Sequence, residues 1–432
     1  MKIRGSVLYL AACVGICASA PSVALAQLLP FTPPVPTGEP GSELTIYLLT
    51  IGQGDDVWEL FGHNAIWVKD RAQGTDVTYN WGMFDFNQPH FVSRFLTGHT
   101  LYWMEGIDLE TLLQAYTARD RSILAQELNL TPTQRLELKQ SLEWNALPQN
   151  KFYRYDYYRD NCSTRLRDAL DQALGGQLQR ATATRMTTGT YRTQTERLTQ
   201  KDIPVYTGIM LALGHPADRP LSEWEEMFLP VRMANDIRSV RIRSDSNATV
   251  PLVRSEMALF TAGRSPEPAS PPNYLGWYVT LGILIAGALI VLVNRAEGGS
   301  KLALFAATAT ATLWSLIAGF AGVALVAAWA FTEHFYMSRN ENLAQFDPLS
   351  IALVILIPLS IYGVRGVSRA RTVSGIVAVL SLFGFVAQGI LLFDQRNGEI
   401  IALALPLNLA VAWVVYRLSA YRRTSRSSSA AL

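Results

Sequence analysis

Lys151-Phe-Tyr-Arg-Tyr-Asp-Tyr-Tyr-Arg159-Asp160-Asn161-Cys162-Ser163-Thr164-Arg165-Leu166-Arg167-Asp168-Ala169-Leu170 joins two patterns. The aromatic run Lys151 to Tyr158 predicts a strand, whose tyrosines form an ordinary sheet face or a lipid-facing wall. The rest predicts a helix: Asp160 or Asn161 caps it, and Leu166, Ala169 and Leu170 recur at helical spacing. Cys162 therefore falls in the first turn, where unpaired N–H groups and the macrodipole favour a thiolate. The same amides can hold an oxyanion during acyl transfer.

Upstream, Leu44 to Ile51, His63 to Lys69 and Val77 to Trp81 predict strands, and Leu109 to Arg119 and Pro132 to Ala146 predict helices. Thr131, with Pro132 and Gln134 after it, forms a capping-box start. A thiol nucleophile needs a base. Of the five histidines, His63 stands after Gly62 at the start of a strand, where its ring can face a cleft. His90, His99 and His215 read as structural or surface residues, and Asn80 on the next strand is the candidate to orient the imidazole.

The chain has 432 residues, 37 Lys+Arg against 35 Asp+Glu, and three cysteines. A near-neutral balance argues against a nucleic-acid protein. The neutrality is a sum of two unlike halves: residues 27–272 carry 24 basic and 29 acidic side chains, residues 273–432 carry 11 and 6. Residues 1–26 read as a secretory signal peptide, with Lys2 and Arg4, an apolar core and Ala24-Leu25-Ala26 before the cleavage point. A rival reading takes Leu10-Ala11-Ala12-Cys13 as a lipobox. Cleavage after Ala26 discards Cys13 and Cys17 and leaves Cys162 as a lone thiol in an oxidising compartment.

A Pro-rich linker (27–43) leads into a domain at 44–235, then an extracytoplasmic linker segment at 236–272. Five apolar runs follow within 273–417: Leu275 to Val293, Leu302 to Phe331, Leu349 to Val364, Val373 to Phe393 and Ile400 to Tyr416. They predict five transmembrane helices, with a basic tail at 418–432. Nine of their eleven basic residues fall in the connections and tail that face the cytoplasm if residues 44–235 are exported.

Several separated motifs stand in a familiar order: Phe61-Gly62-His63-Asn64, Tyr79-Asn80-Trp81-Gly82-Met83-Phe84-Asp85-Phe86, Asp160-Asn161-Cys162-Ser163-Thr164, and Asp218 before Trp224 to Pro230. Together they resemble the Lnb-type periplasmic domain family, which includes bacterial lipoprotein N-acyltransferases. The resemblance implies an α+β architecture: a permuted papain-like exported domain, histidine before cysteine, followed by the membrane bundle. It implies an enzyme of the inner membrane with its catalytic domain on the periplasmic side. Cys162, His63 and Asn80 would be catalytic, and Asp160, Asn161, Ser163, His334, Asn340 and Asn342 would bind substrate. The implied partners are a phospholipid acyl donor, a diacylated lipoprotein acceptor and the membrane, with no cofactor. No His-Glu-x-x-His or paired-Cys pattern predicts a metal. The same dyad also suits an exported cysteine hydrolase, either a phospholipase or a peptidoglycan amidase or peptidase. A catalytically silent membrane scaffold is the reading from another class; the near absence of ionisable residues in the apolar runs speaks against a transport bundle.

Overall fold

A computed structural model describes residues 38–244, 248–363, 365–390 and 392–430. The expected signal peptide, Cys13 and Cys17 with it, and the linker up to residue 37 lie outside the described residues. The segment Leu44-Thr-Ile-Tyr-Leu-Leu-Thr-Ile51 is apolar on both faces, and as β1 (Leu44–Ile51) it is buried along its whole length. It pairs antiparallel with β2 (His63–Asp70) on one side and β5 (Ile123–Leu128) on the other. Outward from β2 come β3 (Thr75–Met83), β4 (Leu101–Asp108) and β6 (Phe152–Arg154). Two short ribbons stand apart, β7 (Met186–Thr190) with β8 (Pro220–Ser222) and β9 (Arg241–Arg243) with β10 (Thr249–Pro251). The strand β11 (Val253–Phe260) pairs with β5 and closes the seven-stranded order β11-β5-β1-β2-β3-β4-β6.

Helices fill the connections: α1 (Phe91–Thr97), α2 (Leu109–Thr117), α3 (Pro132–Ala146) and α4 (Cys162–Ala173). After them come α5 (Gln177–Thr182), α6 (Tyr191–Thr199), α7 (Ile203–Ala212), α8 (Glu223–Glu226) and α9 (Pro230–Asp236). The period-two alternation of a strand sorts the side chains onto two cores. Leu44, Ile46, Leu48, Ile66 and Val68 pack under α3 and α4, against Leu138, Leu142, Leu166 and Leu170. Tyr47, Leu49, Ile51, Ala65 and Trp67 face α2 through Leu112. The capping box of α3 is formed by Thr131 and Gln134 as its sequence predicts.

The second half is a bundle of α10 (Leu275–Glu297), α11 (Lys301–Phe331), α12 (Ser350–Pro358, extended by a π turn over Leu359–Gly363), α13 (Val367–Ala387) and α14 (Gly398–Ala430). Four of them are long and apolar enough to cross a bilayer, and this corrects the expected five. The third apolar run makes a helix from Ser350 to Gly363, about 21 Å long against the about 30 Å of a hydrocarbon core. Small residues on α11 explain why the segment before α12 lies so close. A Cβ on Gly322 would stand 2.2 Å from the Phe346 carbonyl oxygen, and one on Gly319 would stand 2.3 Å from the Ile351 nitrogen. The basic ends gather as the charge pattern predicts: Arg417 pairs with Glu297, and Arg371 reaches Ser419 and the Tyr416 carbonyl.

The sheet domain docks on the other end of the bundle. Tyr206 donates to Glu399 at 2.7 Å, Gly214 N–H donates to the Tyr336 carbonyl at 2.7 Å, and Glu333 N–H donates to the Thr97 carbonyl at 3.0 Å. Two boundaries need correction. The segment expected as a linker, 236–272, contains β9, β10 and β11, and β11 belongs to the main sheet. The expected strand Lys151 to Tyr158 is ordered as a strand only over Phe152–Arg154, because a turn starts at Asp156, whose carboxylate accepts the N–H of Tyr158 and Arg159.

Candidate active site

Asn161 begins α4. Its side-chain oxygen accepts the N–H groups of Ser163 and Thr164, both at 2.9 Å, and Thr164 Oγ1 accepts the Asn161 N–H at 2.8 Å. This reciprocal cap fixes Cys162 as the first helical residue. The backbone N–H groups of Asn64, Ser163 and Cys162 itself bond the thiol and pull its pKa down, and the Arg121 charge adds to them. Burial outweighs all four and raises the thiol above its ordinary 9.0. The thiol is therefore protonated at neutral pH.

Gly62, at φ +78°, turns the chain so that His63 opens β2; a Cβ there would stand 2.9 Å from the Ile51 carbonyl oxygen. His63 Nε2 lies 3.1 Å from Asn80 Oδ1. The Asn80 amide is itself fixed, since its Nδ2 donates to the Thr78 carbonyl at 3.0 Å and to Thr78 Oγ1 at 3.3 Å. Oδ1 must then face the imidazole as an acceptor. This makes Nε2 the protonated nitrogen and leaves Nδ1 with a lone pair. Burial, then the Arg121 charge, push the imidazole down to about 4, against the bond from Asn80. The site rests as a neutral thiol and a neutral base.

The two groups share their surroundings. The Tyr116 ring lies 6.1 Å from the His63 ring and couples electrostatically to Cys162, and Arg121 acts on both. Gly82 sits against the thiol residue from β3, at φ +91°, and a Cβ there would be 3.3 Å from Cys162 Cβ. It lies in the register shift of β3 between Asn80 and Met83, a bulge that bends the strand around the site. Arg121 and Tyr116 are members that the sequence reading missed. Arg121 is buried, donates to the Gly52 carbonyl at 2.9 Å, pairs with Glu59 at 3.0 Å and stacks 4.9 Å from the Tyr116 ring centroid. A charge buried beside a strand end has no local sequence signal. Gly82 did have one, as a glycine inside a strand pattern.

The side chains of the other residues expected to bind substrate are engaged within the fold. Asp160 pairs with Arg165, and Ser163 is fully buried with its hydroxyl donating to the Met227 carbonyl at 2.6 Å. Asn340 Nδ2 donates to the Leu211 and Ala212 carbonyls, each at 2.9 Å. Asn342 Nδ2 donates to the Met210 and Leu211 carbonyls, and its oxygen accepts from Asn397 at 2.9 Å. Both amides hold the loop after α11 onto the C-terminal carbonyls of α7, so their donors are engaged within the fold. His334 bonds the Phe95 carbonyl at 2.8 Å and stacks on Tyr157. Tyr153 and Tyr158 are buried, and Tyr155 and Tyr157 are half-buried. His215 lies between Asp394 at 3.1 Å and Glu341 at 3.4 Å, where sheet domain and bundle meet. One side-chain atom from each of the three lies within 4.8 Å of the others, and the cluster joins three connections.

A half-buried cysteine at a helix N-terminus, a histidine at the start of a strand packed on that helix and an asparagine holding its Nε2 are the three residues expected to be catalytic, and the structure sets them on an α+β domain joined to apolar helices. Residues 40–197 match the Lnb N-terminal periplasmic domain family. The sheet domain is thus similar to that family, and with its apolar helices the chain is a membrane protein with a domain of periplasmic type. No curated protein and no solved structure matched.

Removing the amide that orients His63 tests the arrangement. Asn80→Ala should lower kcat on the order of 10²-fold with KM little changed. It should also lower the imidazole pKa further, since the lost bond favours the protonated ring. Asn80→Asp keeps an acceptor toward Nε2 and should recover part of the rate. Unchanged kcat in Asn80→Ala would remove Asn80 from the machinery.

Proposed function

We propose that this protein is a cysteine-dependent N-acyltransferase of the bacterial inner membrane. It moves a fatty acyl chain from a phospholipid, through a Cys162 thioester, to the α-amine of the N-terminal diacylglyceryl cysteine of lipoproteins. The observation that carries this reading is the fixed His63 tautomer, with Nε2–H on Asn80 and Nδ1 free, on a domain docked against membrane helices. The Lnb family match supports lipoprotein processing as the setting.

In the first half-reaction, His63 Nδ1 takes the Cys162 proton as Sγ attacks the carbonyl carbon of the lipid ester. The C–S bond forms, the electron pair moves to the carbonyl oxygen, and the N–H groups at the start of α4 and of Asn64 stabilise that charge. On collapse the C–O bond to glycerol breaks, and the imidazolium gives its proton to the leaving oxygen, releasing a lysophospholipid. In the second half-reaction the lipoprotein amine attacks the thioester carbon. The C–N bond forms, the C–S bond breaks, and His63 passes the amine proton to the departing thiolate. Both substrates are bilayer-held lipids, which gives a function to the membrane bundle.

The experiment incubates proteoliposomes of the full chain with phospholipid and a diacylglyceryl lipopeptide, then reads product masses. One acyl chain added to the peptide amine, with lysophospholipid in equal amount, is the expected result. Free fatty acid with no acylated peptide would instead establish a phospholipase.

The pH dependence follows from the neutral resting site. His63 is the base only when unprotonated, so activity is lost as pH falls through about 4 and is full above it. Arg121→Gln removes a charge that disfavours the imidazolium, so the acid limb should move to higher pH. Initial rates against pH for both proteins check this; an acid limb at the same pH in the variant would exclude the Arg121 effect.

A further inference from the structure

We infer that α1 and the aromatic strip leading from it to Cys162 form a lipid-contact lip, along which acyl chains of the outer leaflet reach the thiol. This rests on the acyltransfer reading for its purpose, but its geometry is independent of it. The strip begins at the site: Tyr155, electrostatically coupled to Cys162, stacks on Tyr102 at 4.2 Å, which stacks on Phe84 at 5.0 Å. Phe84 touches Phe86 at 5.0 Å, Phe86 touches Phe91 at 5.1 Å, and Phe91 stacks on Phe95 at 6.5 Å.

Exposure is greatest at the far end, although Phe91 is half-buried between Phe86 and Phe95. Tyr102 is half-buried, Phe86 and Phe95 are each 55% exposed, and on α1 Val92 is 70% and Leu96 63% exposed. Large apolar groups so open to water on one seven-residue helix need a partner.

The occupant follows from what α1 adjoins. The Thr97 carbonyl accepts the Glu333 N–H, and His334 bonds the Phe95 carbonyl, so α1 is fastened to the end of α11. Gly98, at φ +77°, permits the contact, since a Cβ there would stand 3.2 Å from the Glu333 carbonyl carbon. On α11 the exposed apolar residues continue without interruption through Phe320, Val326 and Trp329 to Phe331, which is 79% exposed. With 31 residues, α11 is about 46 Å long, comparable to the about 40–45 Å of a bilayer with its headgroup layers. Its last turn, and α1 with it, therefore lie at the headgroup layer. The exposed face of α1 extends the lipid-facing stripe of α11, and the same outer-leaflet phospholipids cover both.

The test places a spin label at Leu96→Cys in the full chain, with Cys13, Cys17 and Cys162 changed to serine, reconstituted in phosphatidylethanolamine–phosphatidylglycerol vesicles. A label at exposed Glu137→Cys on α3 serves as control. The Leu96 label should be accessible to oxygen and shielded from a water-soluble nickel chelate, and the Glu137 label the reverse. Equal chelate accessibility at both positions would overturn the lip. In the chain with Cys162 intact, Val92→Glu with Leu96→Glu should slow acylation of Cys162 by vesicle phospholipid about tenfold or more, with the melting temperature unchanged. An unaltered rate would overturn the path. A lipid-embedded Leu96 label alongside a Cys162 that is never acylated would sink the acyltransfer reading and leave the lip as a membrane contact.

Discussion

Cys162→Ser and His63→Ala should each lower the rate of phospholipid-dependent acyl transfer by at least about 10⁴-fold, roughly 5 kcal/mol of transition-state stabilisation. The loss is this large because the groups act as a unit. The thiol is raised above its ordinary pKa by burial, so little thiolate exists without a base. The imidazole, near 4, stays neutral and gains its proton only when Sγ attacks. Removing either partner removes the proton transfer and the nucleophile together, so the double variant should be little worse than the single ones. Serine keeps the helix cap and the N–H cluster, so Cys162→Ser should fold as the parent does. Rates from acyl-labelled phospholipid, with melting temperature as the folding control, decide the matter. Activity within tenfold of the parent in either variant would remove the dyad.

The largest effect on stability should come from Arg192→Ala. Arg192 is fully buried in α6 and makes a bidentate pair with Asp218 through Nε at 2.8 Å and Nη2 at 3.0 Å. Its other donors satisfy the carbonyls of Met210, Leu213 and Gly214, which end α7 beside the loop that meets the bundle. Deleting the guanidinium leaves an unpaired carboxylate and several unsatisfied carbonyls, a penalty of about 3–5 kcal/mol. That is a large share of the roughly 5–15 kcal/mol of a typical domain. Arg192→Lys should recover only part, because an ammonium cannot reproduce the planar fork. Denaturant midpoints in detergent should fall for both variants, further for alanine. An unchanged midpoint in Arg192→Ala would show that this buried pair does not hold the seam.

What was legible in the sequence was local. Leu44–Ile51 and Pro132–Ala146 form elements with the expected bounds because an apolar run and a capping box each carry their signal within a few residues. Asn161 as cap and Cys162 in the first turn were readable for the same reason. The less legible parts depend on partners distant in sequence. The strand β11 hid in a stretch read as a linker because Arg254, Ser255 and Glu256 are polar and exposed, and only pairing with β5, more than a hundred residues earlier, makes it a strand. The short α12 was counted as a full span because apolarity reports burial without saying whether lipid or protein supplies it. Asn340 and Asn342 looked available to a head group, yet they bond the end of α7 from the loop after α11. Arg121 reaches His63 and Cys162 only through the fold.

The central claim is that Cys162 takes an acyl chain from a membrane lipid, and intact-protein mass spectrometry tests it most directly. The full chain in proteoliposomes is held with phospholipid and no acceptor, quenched in acid and weighed. The account predicts one added acyl chain, located at Cys162 by peptide mapping, released by neutral hydroxylamine as a thioester is, and absent from Cys162→Ser. An unmodified Cys162 alongside accumulating lysophospholipid, or an acyl chain that Cys162→Ser still carries, would contradict it.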